Sequence, residues 1–160
     1  MQKVSILCVG KLKEKFYAQA VAEYAKRLSR FCKLEIVELA EARLDESPAP
    51  AEIEQALLEE AGRVEAKLPK GGAVIALCIE GTEMTSPALA EVMNGFAVSG
   101  ASQVTFLIGG SVGLHPSLKA RANLKLSMSP MTFPHHLARV MLLEQIYRAY
   151  QIQAGSRYHK

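Results

Sequence analysis

A cluster of glycines is the first feature of the chain whose composition suits binding chemistry. Residues 109–114 have the sequence GGSVGL and directly follow an apolar run. Because glycine lacks a Cβ and tolerates positive φ, such a turn lets a ligand approach the backbone closely. The spacing matches neither the GxGxxG dinucleotide motif nor a loop ending in Gly-Lys-Ser/Thr. The cluster alone is therefore compatible with a ligand site and with a tight turn between a strand and a helix.

A second candidate is the proline-bounded segment 129–135, with the sequence SPMTFPH. Met131 and Phe133 make it unusually apolar for a loop. These side chains either close the core or form the flat apolar walls that an adenine ring requires. The sequence is equally compatible with both interpretations.

Charged residues in the following helix form a third candidate group. Glu144 and Arg148 are spaced for an i,i+4 ion pair, whereas Arg139 falls on the opposite side of the helix. This pattern predicts that Arg139 is free to contact a ligand or RNA. A solvated surface position is the alternative.

The elements that position these residues follow from hydrophobic periodicity. Apolar spacing predicts helices at about 14–30, from 53 onward, from Ser86 as capping residue to about 98, and from about 136 to 152. Apolar runs predict strands at 3–9, 73–79, 104–108 and 124–128, and the alternation at 34–39 predicts a strand near a sheet edge. Residues 40–50 are predicted to form a surface loop. The order predicts an α/β fold with a mostly parallel sheet and ligands at the carboxyl ends of its strands.

The last helix carries an apolar surface wider than a single stripe. Its apolar residues are Leu137, Val140, Met141, Leu142, Leu143, Ile146, Tyr147 and Tyr150. Packing against one sheet would not cover all of them. We therefore expect a second face to meet another subunit in a symmetric homodimer.

Length and composition restrict the class of protein. A chain of 160 residues predicts a single domain, and 49% hydrophobic with 22% charged residues is typical of a globular protein. No apolar run reaches the roughly 18 residues of a membrane span and no cleavage site follows the first residues, so we expect a cytoplasmic protein without membrane contact. Cys8, Cys32 and Cys78 lack CxxC spacing and are predicted to be core thiols, with no metal site. The net charge of +3 does not by itself establish an RNA partner.

Several of these residues together resemble the RlmH family, the ribosomal RNA large subunit methyltransferase H group of the SPOUT superfamily. The resemblance covers essentially the whole chain and rests on residues 108–114, 131–135, Arg139, Glu144, 147–149 and 158–159. It implies one SPOUT domain over 1–160, with a C-terminal trefoil knot that binds the cofactor within about 73–160. It also implies a homodimer that methylates N3 of pseudouridine 1915 in helix 69 of 23S rRNA, in the assembled 70S ribosome.

The resemblance further implies S-adenosyl-L-methionine as cofactor, bound in a bent form on the knot loops. Carried onto this chain, its contacts fall at Leu77, Gly109, Gly110, Met128, Ser129, Pro130, Met131, Thr132 and Phe133. This chain departs from some relatives at Ser111-Val112, where they carry Pro-Glu. The glycines are retained, but this chain has no carboxylate at these two positions.

The implied reaction transfers a methyl group in line to an imide nitrogen, so the protein must align both partners and help remove a proton. No metal is required. His135 and His159 are the candidates for proton transfer, although a lone histidine is more often structural. Arg139 and Arg157 are candidates for holding phosphates, and Tyr158 for stacking on the nucleotide or bonding to it.

The tail, residues 157–160, follows the flexible Gly155-Ser156 pair and has no apolar pattern. We expect it to reach the cofactor loops of the other subunit, a solvated terminus being the alternative. The modest net charge predicts weak activity on free 23S RNA. Replacing Gly109 with valine is expected to obstruct the cofactor.

Two other classes of function remain compatible with the sequence. One is a SPOUT enzyme that acts on transfer RNA. The other is a non-catalytic α/β module that binds ribosomes or nucleotides, in which the glycine turn and the Pro-His segment are purely structural.

Overall fold

The computed structural model describes residues 1–159, so Lys160 of the predicted tail lies outside the described residues. The elements are β1 (Gln2–Val9), α1 (Lys15–Leu28), β2 (Cys32–Leu39), α2 (Pro50–Lys67), β3 (Ala73–Glu83), α3 (Ser86–Val98), β4 (Gln103–Ile108), α4 (Pro116–Arg121), β5 (Leu124–Ser127) and α5 (His135–Gln153). The strands form one parallel sheet in the order β2-β1-β4-β3-β5. The predicted α/β class is confirmed, and so is β2 as an edge strand.

Alternate residues of each strand face two separate cores, as the twofold period of a strand requires. In β1, Val4 and Ile6 belong to the core under α1, α3 and α5, whereas Leu7 and Val9 belong to the core under α2 and α4. Both faces of the sheet are therefore covered by helices. This explains why the inner strands are nearly continuous apolar runs.

One short helix was not predicted, and the predicted cap of another helix was wrong. Helix α4 was not predicted, because six residues are too few for helical periodicity to stand out; His115 caps it, its side chain accepting a hydrogen bond from Ser117 N. The cap of α3 is Thr85 rather than Ser86: Thr85 Oγ1 accepts from Ala88 N at 3.2 Å. Ser86 is instead the first helical residue, and its hydroxyl bonds to Gln145 Oε1 of α5 at 2.6 Å.

Part of the apolar surface of α5 is buried within the chain. Besides the sheet, α5 packs against α1 on one side and α3 on the other. Leu142, Leu143, Ile146, Ala149 and Tyr150 are all buried in this way. Leu137, Val140, Met141 and Tyr147 are only partly buried. Coverage of this remaining apolar surface by a second subunit stays a prediction.

Cys8 and Cys32 are buried free thiols, as predicted, and burial raises the pKa of each to about 11. Cys78 is only partly buried. In residues 1–159, no helix is both long and apolar enough to cross a membrane.

Candidate functional site

The main cavity of the molecule lies at the carboxyl ends of β3, β4 and β5 and has a volume of about 750 Å³. Three segments and Lys119 line it; the segments are residues 77–80, the glycine loop (residues 108–114) and parts of 126–138. Of the nine residues expected to contact the cofactor, eight line this one cavity: Leu77, Gly109, Gly110, Met128, Ser129, Met131, Thr132 and Phe133. Pro130 does not line it. The structure thus brings together segments that are far apart in the sequence.

The cavity is open at β3 because that strand bulges there. Leu77 and Thr82 both align with Leu126 of β5, so residues 78–81 lie outside the regular pairing. A Cβ on Gly81 would lie 2.7 Å from the Lys125 carbonyl oxygen, so only glycine fits where the strand rejoins its neighbour. The apolar end of β3 therefore faces the cavity.

The glycine loop closes tightly on itself. Gly113 N donates to Gly110 O at 3.1 Å, and Gly113 has a φ of +83°. A Cβ on Gly109 would lie 2.4 Å from the carbonyl carbon of Gly113. The structure thus gives a further reason for glycine at 109, because a side chain there would meet the loop's own backbone. Obstruction of the cofactor by a side chain at 109 stays a prediction.

Glu41, which the sequence analysis missed, reaches this loop from the connection after β2. Its Oε1 accepts hydrogen bonds from Ser111 N at 3.0 Å and Ser111 Oγ at 2.9 Å. Partial burial opposes its ionisation, but these two bonds and the nearby imidazoles of His135 and His136 hold its pKa below the usual range. A carboxylate is thus present beside the Ser111-Val112 departure from the motif. Nothing in the local pattern of residues 40–50 indicated it.

His135 lines the main cavity, and its ring lies 4.3 Å, centroid to centroid, from that of His136. Burial lowers the pKa of His135. The nearby His136 and Arg139 lower this pKa further, whereas Glu41 raises it. The imidazole is therefore neutral near neutral pH and can accept a proton. His136 Nε2 is buried and has no hydrogen-bond partner among the described residues.

Arg139 is not free, contrary to the prediction. Only 1% of it is exposed; its guanidinium donates to Glu38 Oε2 at 2.6 Å and to Gly10 O at 3.1 Å. The helical pattern correctly separated Arg139 from the Glu144–Arg148 pair, which forms at 2.8 Å. It could not show that the carboxyl end of β1 and the β2 carboxylate lie on that side.

Within one chain the tail packs against its own α5. The Tyr158 hydroxyl donates to Glu144 Oε2 at 2.8 Å, the Arg148 guanidinium lies 4.8 Å from the Tyr158 ring, and His159 Nδ1 is 3.3 Å from Arg148 Nη1. Partial burial, followed by the bond to Glu144, raises the pKa of Tyr158. Residues 157–159 do not line the main cavity. A single chain therefore does not bring His135 together with Tyr158 and His159.

A second cavity, of about 250 Å³, lies beside the first between β5, α3 and α5. It shares Leu126 and Met128 with the main cavity, and Glu144 also lines it. The carboxylate that holds Tyr158 is thus close to the main cavity. Across residues 1–159, no cluster of three or more His, Cys, Asp or Glu side chains is arranged to hold a metal ion.

Comparison with known proteins identifies the family to which this chain is similar. A family model described as "Predicted SPOUT methyltransferase" matches residues 2–159. Ribosomal RNA large subunit methyltransferase H of Leuconostoc mesenteroides is 46% identical over 157 residues, which covers 98% of this chain and 99% of the relative. The protein of the same name from Streptococcus sanguinis is 47% identical over 158 residues and covers 99% of both chains.

Solved structures share the fold at much lower identity. TrmJ from Z. mobilis has a TM-score of 0.53 and 18% identity, over 92% of this chain and 69% of that one. A structure described for the 2-OH methylation of C/U34 on tRNA has a TM-score of 0.52 and 19% identity, over 96% and 98% of the two chains. At these identities the similarity concerns the fold alone.

Proposed function

Because the chain belongs to the SPOUT methyltransferase family, within the group named ribosomal RNA large subunit methyltransferase H, we propose that it methylates RNA of the large ribosomal subunit. It is a methyltransferase, and S-adenosylmethionine is its methyl donor. The observation that carries the proposed substrate is the 46% identity over nearly the full length of both chains. This identity is joined by a cavity that the motif residues line.

The main cavity is our proposed site for the cofactor, and its lining fits that molecule. Its volume lies within the roughly 300–1,000 Å³ of small-molecule sites. Leu77, Leu126 and Phe133 offer apolar walls for the adenine ring, and the backbone of the glycine loop offers hydrogen-bonding groups. Glu80, also in the lining, bonds to Lys119, and this bond holds its pKa below the usual range, so its carboxylate can accept bonds from ribose hydroxyls.

The bound cofactor supplies a methyl group made reactive by a positively charged sulfonium. The chain's own task is to align the acceptor nitrogen and to accept its proton. We propose His135 for the proton, because it lines the cavity and its lowered pKa keeps it neutral. Arg139 is assigned a positioning role instead of the phosphate contact expected from the sequence, since it is buried against Glu38 and Gly10.

The specific acceptor is proposed to be N3 of pseudouridine 1915 in helix 69 of 23S RNA, within the assembled 70S ribosome. The motif resemblance supports this target, and the names of the relatives support the coarser one, an RNA of the large ribosomal subunit. The small net charge of +3 supports an assembled particle, whose shape adds contacts that a small basic excess cannot supply on free RNA. Such an enzyme would work in the cytoplasm.

We also propose a homodimer with a shared active site. Tyr158, His159 and the exposed Arg157 of one subunit would join the main cavity and His135 of the other. The support is the separation of these groups within one chain, together with the position of Glu144 beside the cavity. The single domain of residues 1–160 is proposed to contain a trefoil knot within about 73–160. Support for the knot comes from the family membership alone.

The function is tested with purified protein and cofactor carrying a labelled methyl group. We expect transfer to 70S particles, much weaker transfer to protein-free 23S RNA, and a product that maps to one pseudouridine. Calorimetry without RNA should show cofactor binding. Equal methylation of free RNA and intact ribosomes would contradict the requirement for an assembled particle. Label in transfer RNA instead of ribosomal RNA would replace the proposed substrate.

A further inference from the structure

The connection between β1 and α1 forms an exposed basic surface at the same sheet edge as the main cavity. Residues 11–16, here called the lysine loop, comprise most of this connection and the first two residues of α1, and have the sequence KLKEKF. Lys11, Lys13 and Lys15 are exposed, and none forms an ion pair with another residue in 1–159. Three lysines and one glutamate within residues 11–15 are a local excess of positive charge in a chain whose net charge is only +3.

Aromatic rings lead from this loop to the cavity. Phe16 is 62% exposed, and its ring lies 4.4 Å from that of Tyr17. Tyr17 in turn lies 6.2 Å from His136 in an edge contact, and His136 lies 4.3 Å from His135 in the cavity lining. The row thus begins at an exposed aromatic face and ends at the site of methyl transfer.

The loop is held in place from within the protein. Leu12 N donates to Glu38 Oε2 at 3.0 Å, the same oxygen that accepts from the buried Arg139. Arg139 also binds Gly10 O, where the chain turns with a φ of +105°. The loop has one acidic side chain, Glu14, whose carboxylate lies 3.7 Å from His136 Nδ1. Among the described residues, Glu14 forms no ion pair with the three lysines. The lysines are therefore presented from a fixed backbone.

We propose that the lysine loop is an RNA-binding surface, where lysines hold backbone phosphates and Phe16 stacks on an unpaired base next to the methylated nucleotide. Lysine ammonium groups bind phosphates as point charges, and exposed aromatic rings stack on bases that have left a helix. The row of rings gives the RNA a path toward His135. This inference rests on the proposed function, because the loop would deliver ribosomal RNA to the main cavity.

The test compares two charge-matched triple variants and two single variants. In the first triple, Lys11, Lys13 and Lys15 become glutamine. In the control triple, the exposed residues Lys33, Lys67 and Lys70 become glutamine. These lysines lie at the opposite end of the sheet, where the strands begin. The single variants are Phe16→Ala and its conservative counterpart Phe16→Trp. Cofactor binding, ribosome binding at several salt concentrations, methyl transfer and oligomeric state are measured for each.

We expect all variants to bind cofactor like the wild type. Phe16→Ala should weaken ribosome binding and raise KM by roughly 5- to 150-fold, the range for one stacked base, and Phe16→Trp should restore both. The loop triple should make ribosome binding less sensitive to salt. The magnitude of the slope of log affinity against log salt should fall by about 2, while the control triple leaves it unchanged.

Equal losses in both triples would mean that only net charge matters and would overturn the proposal. Dissociation of a dimer by Phe16→Ala would show that a second copy of the chain covers this ring instead. If the wild-type protein neither binds nor methylates ribosomes, the proposed function fails, and this inference fails with it. If the wild type is active and the loop variants match it, the inference alone fails.

Discussion

At the residue scale, the glycine loop depends on a carboxylate from outside the motif. Glu41 holds both the backbone and the hydroxyl of Ser111, and Gly110 lies against it: a Cβ there would be 2.8 Å from Glu41 Oε1. The loop conformation that faces the cavity is therefore stabilised by a residue some 70 positions earlier in the chain.

Glu41→Ala is expected to weaken cofactor binding by roughly 5- to 30-fold, since two hydrogen bonds that order the loop are lost at about 1 kcal/mol each. Calorimetry with S-adenosylmethionine measures the effect. Glu41→Gln, which keeps one acceptor, should lose less, and Glu46→Gln, exposed in the same connection, should lose nothing. Normal affinity in Glu41→Ala would remove Glu41 from the site.

At the element scale, one ion pair ties β1, β2 and α5 together beside the cavity. Arg139 of α5 is buried and bonds to Glu38 of β2 and to the carbonyl after β1. The bonds from Arg139 and Leu12 outweigh partial burial and lower the pKa of Glu38. This pair gives Arg139 of α5 a structural role at the carboxyl ends of β1 and β2.

Glu38→Gln should destabilise the fold by roughly 3 kcal/mol, because it leaves the buried Arg139 without its counter-charge. Thermal and denaturant unfolding measure the change. The control is Glu35→Gln. Glu35 lies on β2, as Glu38 does, and forms an exposed ion pair with Lys3 of β1 at 3.9 Å, so its loss should cost well under about 1 kcal/mol. Similar losses in the two variants would contradict a special role for the buried pair.

The pH dependence of the same pair has a definite sign. The folded-state pKa of Glu38 lies below its ordinary value, so its contribution is fully present above that ordinary value. It is lost as pH falls through the lowered folded-state pKa. The wild type should therefore lose more stability than Glu38→Gln on acidification through this range.

At the scale of the whole molecule, the catalytic groups predicted from the sequence fall into two places. His135 lies at the main cavity, whereas Tyr158 and His159 lie on the C-terminal half of α5. A shared site in a dimer would reunite them.

This sharing predicts complementation between two inactive proteins. Ala138→Phe would fill the main cavity, which Ala138 lines from α5, and a Tyr158→Ala, His159→Ala double variant would remove the tail groups. After subunit exchange at equal concentrations, about one quarter of wild-type activity should return, because half the dimers are mixed and each has one intact site. Ala66→Phe, on the exposed side of α2, is the control for the bulky substitution. Full activity of the tail variant alone, or a mixture that stays inactive, would refute the shared site.

The sequence by itself determined the fold class and the order of the residues in the predicted cofactor motif. The alternation of apolar runs and amphipathic segments predicted the α/β class, because residues that are neighbours along the chain set strand and helix periods. The glycine loop and segment 128–133 were identified as one site because the family motif preserves residue types in order, and the structure brings them to the same cavity. Both kinds of signal are carried by consecutive residues.

Only the tertiary structure decided the roles of residues whose partners are distant in sequence. Arg139 changed from a free cation to a buried one because Glu38 and Gly10, about a hundred or more positions away, meet it where α5 crosses the ends of β1 and β2. Glu41 joined the glycine loop for the same reason, and α5 buries part of its apolar surface against α1 and α3 within the chain. Local patterns fix which face of an element is apolar, but the sheet order β2-β1-β4-β3-β5 decides what each polar group meets, and no short-range pattern encodes that order.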